Sequence, residues 1–284
     1  MILITGATGS NGTQILKLLT AQNIPVRAMV HGPNRTEAVQ APNVQIVEGD
    51  FDRPGTLRAA LDGVERAFLL TNSTERAEAQ QIAFVEAAQQ TGVAHLVKLS
   101  QLHAAADSPV RYLRYHAAVE AAIRASGLAY TFLRPNLFMQ GLLNFAPTIK
   151  EKSAFYAAAG DTKISVVDVR DIAATAVAAL TGPGHAGRTY DLTGPQSLTH
   201  AEMAAHLSDA SGRAITYVDV PPQTMREAVV GMGMPPWQAD GLIEDYAHYR
   251  RGEAAAVSTG VQDATGGAPR GFAAFARDYA ALLS

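Results

Sequence analysis

The 284-residue chain has no cysteine. Disulfides, thiolate metal sites and cysteine nucleophiles are excluded together. It also has no surplus of positive charge: 23 Lys and Arg stand against 26 Asp and Glu, a formal net charge of -3. The pair Arg250-Arg251 reads as a solvated helix end, so no basic face invites nucleic acid. No stretch approaches the roughly 18 uninterrupted apolar residues of a membrane span. Met1 runs directly into Ile2-Leu3-Ile4 with no basic leader, so no signal peptide is read and a soluble, cytoplasmic protein is expected. The glycosylation-type triplets at Asn11, Asn34 and Asn72 then read as chance. The eight histidines form no pair at ligand spacing with an acid partner, and no metal is expected. Gly-x-Ser-x-Gly is missing, which removes a hydrolase elbow, and Gly-Lys-Ser/Thr is missing, which removes a kinase-type phosphate loop.

What is present is an ordinary globular composition, 48% hydrophobic and 17% charged. The first half alternates short apolar runs with helical patterns, the signature of βαβ units and a parallel sheet. Strands are read at 2–5, 25–30, 44–48, 67–70, 95–99 and 130–133. Helices are read at 12–21, 56–61, 78–91 and 110–126, the last two stopped by Gly92 and Gly127. Beyond Pro135 the pattern loosens: 136–152 reads as a helix broken by Pro147, 169–180 and 200–211 as helices, and 189–192 and 215–220 as strands. Helices around 223–231 and 236–251 follow. The Gly-rich stretch 259–271 reads as a loop that either closes over a ligand or is simply mobile, and 272–283 as a closing helix. The expected fold is α/β: a Rossmann-type doubly wound parallel sheet with a smaller α/β C-terminal substrate region. Residues 1–135 form the dinucleotide-binding domain. Residues 136–284 form mainly the substrate region, with the strand and helix around 165–195 returning to the first domain. Monomer and homodimer remain open.

The most informative segment is Thr5-Gly6-Ala7-Thr8-Gly9-Ser10-Asn11-Gly12, between the first strand and the first helix. Gly6 permits the sharp turn, Gly9 a close approach of pyrophosphate to the backbone, and Gly12 tight packing of helix on strand. Free N–H groups and the partial positive charge of the helix N-terminus then face the phosphates. Thr8, Ser10 and Asn11 belong to the same cradle. A ligand-free tight turn is the plainer alternative, but the strand–turn–helix setting favours a dinucleotide. No Asp or Glu lies between Asn23 and Thr36, where an NAD-selective site places an acid for the ribose hydroxyls. His31 and Arg35 stand there instead, suited to a 2′-phosphate. NADP(H) is therefore the expected cofactor, with NAD(H) possible.

The glycine loop resembles that of the NmrA-like family of atypical short-chain dehydrogenase/reductases. Gly49-Asp50-Phe51, the stretch from His116-Ala-Ala-Val-Glu120 to Pro135-Asn136, and Val167-Asp-Val-Arg-Asp-Ile-Ala173 are similar too. The resemblance runs through almost the whole chain. It implies a cleft between a Rossmann domain and a smaller substrate region. Asp50 and Phe51 would border the adenine, Thr71, Asn72 and Ser73 would lie along the cofactor, Ser100 would follow the nicotinamide ribose, and Pro135, Asn136, Leu137 and Phe138 would lie near the nicotinamide.

Related dehydrogenases carry Tyr-x-x-x-Lys on a helix. Here His116 takes the lysine position, with Tyr112 four residues before it on the same face. A histidine there resembles the branch that holds triphenylmethane dye reductase and an NADPH-dependent quinone oxidoreductase. His116 and Tyr112 are the catalytic candidates; His116 would bind the ribose, orient a substrate or donate a proton, and its plainer reading is a hydrogen-bonded helix histidine. Tyr115 reads as packing. Trp237, Met232, Met234 and Phe138 either line an apolar pocket or are plain core. Two functions remain open: hydride transfer to a small electrophilic acceptor such as a quinone or azo compound, and a non-catalytic NADP(H)-binding redox sensor.

Overall fold

The computed structural model describes residues 1–32 and 39–283. Seven parallel strands form one sheet: β1 (Ile2–Ile4), β2 (Val26–Val30), β3 (Val44–Glu48), β4 (Arg66–Leu69), β5 (His95–Leu99), β6 (Ala129–Pro135) and, last in the sheet, β8 (Arg188–Leu192). Their order is β3-β2-β1-β4-β5-β6-β8. The chain winds outward from β1 in one direction, then restarts at β4 in the other. That reversal leaves a crevice beyond the carboxyl ends of β1 and β4, where ligands of open α/β sheets sit. This is a Rossmann fold.

Both faces of the sheet are covered because its strands are apolar on both sides. On one face, Ile15 and Leu19 of α1 (Ser10–Ala21) pack with Ile172 and Ala176 of α6 (Val169–Thr181) and with Ile4 beneath them. On the other, Leu57 of α2 (Pro54–Leu61), Phe84 of α3 (Ala77–Gln90) and Val119 of α4 (Arg111–Ser126) close over Leu69 and Phe132. Gly127, at φ 77°, ends α4 in the left-handed conformation.

A second core gathers the rest of the chain. It holds α5 (Ala146–Lys152), β7 (Ala154–Ala157), α7 (His200–Ser211), β9 (Thr216–Asp219), α8 (Pro222–Gly231), α9 (Pro236–Arg250) and α11 (Phe272–Leu283), with Phe155, Met203, Tyr246 and Phe275 at its centre. β7 and β9 pair in parallel as a separate two-stranded sheet. Among the described residues no helix is long and apolar enough to cross a membrane.

Two local expectations are corrected, and one strand had not been read. Pro147 does not break a helix; it lies in the first turn of α5, where its missing N–H costs nothing, and a 3-10 stretch (Met139–Phe145) precedes it. β7 (Ala154–Ala157) was not read from the sequence; it carries alanine at both ends and no β-branched residue to mark it. Residues 259–271 are not simply a loop: α10 (Gly260–Thr265) docks on β8, so closely that a Cβ on Gly260 would lie 2.1 Å from the Asp191 carbonyl oxygen. Asp171 then anchors the stretch through the Arg270 backbone N–H, at 2.7 Å, and the Arg270 guanidinium.

Candidate active site

The crevice begins at the glycine loop. Gly9 N–H donates to Gly6 O at 3.0 Å, and Gly9 caps α1 without a side-chain acceptor, leaving the first amides of the helix for a ligand. A Cβ on Gly12 would come within 2.2 Å of Gly6 O. The loop therefore keeps this backbone shape only with glycine at 12. Asn11 is buried, and its Oδ1 finds no partner among the described residues. A cradle of free amides with an unpartnered buried acceptor at its edge fits a diphosphate and its attached ribose.

A groove of about 450 Å³ runs from Gly6, Thr8, Gly9, Ser10 and Asn11 past His31, Asp50 and Phe51. His31 Nδ1 is 3.9 Å from Asp50 Oδ1, with the histidine side chain 77% exposed. Asp50 is held in place by the Asp52 N–H at 2.9 Å and Arg53 Nε at 3.0 Å, which keep its carboxyl below the usual range. Arg35 lies outside the described residues. Towards the sheet centre, Thr71 Oγ1 accepts from Gln81 Nε2 at 2.8 Å and Ser73 Oγ bonds the Tyr115 hydroxyl at 2.9 Å.

The groove shares Asn11, Leu70, Thr71 and Asn72 with a neighbouring cleft of about 370 Å³. His116, Tyr112, Tyr115 and Ser100 line one side of it, and Pro135, Asn136, Leu137 and Phe138 another. Several of these polar groups are engaged elsewhere. Ser100 Oγ donates to Glu120 at 2.6 Å. Asn136 Nδ2 donates to Ser165 Oγ and Ala254 O, both at 2.9 Å, and its Oδ1 accepts from Leu137 N–H. Asn136 thus fastens the second region to the end of β6. The Tyr112 hydroxyl donates to Gln238 O at 2.6 Å, while its ring packs on Trp237. Burial pushes the hydroxyls of Tyr112 and Tyr115 well above their ordinary range.

His116 is different. Its Nδ1 lies 2.9 Å from Nζ of Lys98, which also donates to Leu99 O at 2.9 Å. The other ring nitrogen has no partner among the described residues and is left to the cleft. Burial, then the charges of Lys98 and Arg134, hold the imidazole far below its ordinary pKa, so it is neutral. Burial likewise brings Lys98 down to about 7 against the opposing pull of Glu120. The lysine missing from the helix is thus supplied from β5, but it reaches the histidine and not the groove. Beneath it, Glu120 accepts from Arg134 at 2.9 and 2.6 Å and from Arg124 at 3.1 Å.

Lys98, Arg134, Gln101 and Asp245 were not among the expected site residues. Lys98 left a signal: a charge inside the run His95–Leu99, which a central parallel strand must bury. Asp245 left none, since nothing local shows that α9 would lie against this cleft. Beside the cleft, sharing Leu137, Phe138 and Gly141 with it, is an apolar chamber of about 470 Å³. Met232 and Met234 line it; Trp237 packs instead on Tyr112 and under the Arg111 guanidinium, 5.3 Å from its ring.

Comparison with known proteins agrees with this architecture. An NAD(P)H azoreductase of Xenophilus azovorans is 41% identical over 283 residues, covering 100% of this chain and 99% of its own. The NADPH complex of an Escherichia coli NADPH-dependent quinone oxidoreductase aligns with a TM-score of 0.88 at 29% identity, over 98% of this chain and 99% of that one. The Citrobacter triphenylmethane reductase complexed with NADP(H) gives 0.87 at 26% identity, over 99% and 100%. The sequence pattern of the NmrA-like family extends over residues 1–257. With a Rossmann sheet, a glycine cradle and a second region closing the cleft, the chain belongs to the NmrA-like family.

Proposed function

We propose that this chain is an NADPH-dependent reductase that passes a hydride to a flat, electrophilic acceptor, a quinone or an azo compound. The observation that carries this reading is that the glycine-cradle groove and the cleft holding His116 are neighbours, both lined by Asn11, Leu70, Thr71 and Asn72. Kinship with whole-length relatives named for azo and quinone reduction supports it.

The free amides of residues 10–12 at the α1 N-terminus would hold the diphosphate, with Thr8, Ser10 and Asn11 at its edge. His31 and Arg35 would meet a 2′-phosphate. Asp50 and Phe51 would border the adenine, Thr71, Asn72 and Ser73 would follow the chain of the cofactor, Ser100 would follow the nicotinamide ribose, and Pro135–Phe138 would lie near the nicotinamide. NADPH, when bound, supplies the hydride. An acceptor that is already electrophilic needs orientation and exclusion of water more than acid catalysis. Leu137 and Phe138 exclude water. As an ammonium, Lys98 would donate to Nδ1 of His116, leaving an Nε2–H to point at the acceptor. Tyr112 ties α9 to α4 and so keeps the cleft closed on that side.

The test mixes pure protein, NADPH or NADH and a panel of quinones and azo dyes, and follows nicotinamide absorbance. His116→Ala is expected to lower kcat/KM by roughly ten- to a hundred-fold with NADPH affinity retained. Tight NADP+ binding without turnover of any acceptor would instead favour a dinucleotide sensor. Tighter binding of NADH than NADPH would end the assignment of His31 and Arg35.

A further inference from the structure

Reduction of a quinone to a hydroquinone, or of an azo to a hydrazo compound, takes two electrons and two protons. A hydride carries both electrons and one proton, so the cleft must supply the other. His116 is poorly suited: it is buried beside Lys98 and Arg134 and is neutral. Tyr112 donates its hydroxyl proton to Gln238 O, and Tyr115 pairs with Ser73.

One acidic group in the same cleft is free of those constraints. Asp245, on α9, lines the cavity with His116 and is 6% exposed. Its two oxygens accept only from Gln101 Nε2, at 3.0 and 3.1 Å, and among the described residues no cation pairs with it. The Arg111 guanidinium on α4 is taken by Glu244 of α9 at 2.7 Å. A buried carboxyl with one neutral donor and no counter-ion is set up to stay protonated.

We propose that Asp245 is a catalytic residue of this reductase: its carboxylic acid delivers the proton that completes reduction of the acceptor. The inference rests on the reductase reading above. The Asp245 O–H bond breaks as an O–H or N–H bond forms on the acceptor, whose two electrons come with the hydride from NADPH. The carboxylate left behind regains its proton from water. The surroundings agree: burial raises Asp245 to about 7, opposed by the Gln101 hydrogen bond and reinforced by the Glu244 charge. Tyr246 and Tyr249 on its own helix, and Tyr112, Tyr115 and His116 on α4, complete the ionisable groups around it; all are neutral near pH 7. Lys98, behind His116, is the one that changes charge in that range.

The experiment compares three acceptors in single-turnover NADPH oxidation: a quinone, an azo dye and a cationic triarylmethane dye. The dye cation becomes neutral by gaining a hydride alone and needs no proton. Asp245→Asn is expected to slow the quinone and azo reactions by roughly a hundred-fold at pH 6, and to leave the dye cation within about two-fold. It should also remove the fall in rate as pH rises through about 7, where the acid ionises. Equal loss on all three acceptors would make Asp245 a structural group, and no loss on the quinone would dismiss it. Infrared difference spectra of the wild-type protein give an activity-free reading. A protonated-carboxyl band that disappears with a midpoint near 7 and is missing from the variant supports the proposal; a midpoint near 4 overturns it. A wild type that reduces none of the acceptors overturns the reductase reading itself, whereas an active wild type with an indifferent variant overturns this inference alone.

Discussion

Lys98 and His116 make the most unusual contact in the molecule, an amine and an imidazole 2.9 Å apart inside the protein. Both basic groups are driven towards neutrality by burial. As an ammonium Lys98 can only donate, to Leu99 O and to His116 Nδ1, and below pH 7 this places the imidazole proton on Nε2; as a neutral amine it can also accept from an Nδ1–H. Lys98→Met is expected to release that choice. Nitrogen-15 shifts of His116 should change from a single Nε2–H tautomer to a mixture, and its titration should move upward as one repelling charge disappears. Unchanged shifts would mean that the lysine only fills space. Sequence reading found His116 from its helix position but not its partner, because residues 98 and 116 meet only when β5 and α4 pack.

At the scale of elements, the cleft depends on how α9 meets α4. A Cβ on Gly241 would lie 2.4 Å from Cζ of Tyr112, so the two helices touch through a missing side chain. Tyr112 then donates to Gln238 O one turn earlier, and Arg111 pairs with Glu244 one turn later. Gly241→Ala forces the tyrosine ring out of place. Thermal unfolding should show a loss of about 1–3 kcal/mol, and proteolysis should reach the second region sooner; an unshifted melting temperature would show that the helices separate without cost. A glycine inside a predicted helix was a visible oddity. Its reason was not, since it lies in a side chain more than a hundred positions away.

At the scale of the whole molecule, two buried groups make stability depend on pH in opposite directions. Asp245 rises from 3.8 to about 7 on folding. The folded state keeps its proton while the unfolded state loses it, so the stability present below pH 3.8 is lost as pH rises towards 7. Lys98 falls from 10.5 to about 7. Its cost is full below 7 and fades as pH rises towards 10.5, where the unfolded lysine also loses its proton. Together they place their largest combined cost near pH 7. Asp245→Asn should therefore be more stable than wild type at pH 7 and no more so at pH 4, and Lys98→Met more stable at pH 7 with the gain gone near pH 10.5. Chemical denaturation at those pH values checks both; pH-independent differences would show that neither group titrates on folding.

Alternating apolar runs, the glycines at 6, 9 and 12, and the missing acid after β2 are local features. Each reports a local demand: a strand buried on both faces, a backbone that must approach a phosphate, a loop without an acid. Strand order was not local, nor was the docking of α10 on Asp191. The same holds for the chemistry of the cleft. Residues 98, 116 and 245 come from a strand, a helix and a second region, and their protonation is set by how much water the surrounding packing removes. Burial is a property of the assembled molecule, so only the tertiary structure could shift an ordinary lysine, histidine and aspartate towards their neutral forms, the last two lining one cavity and the lysine standing behind the histidine.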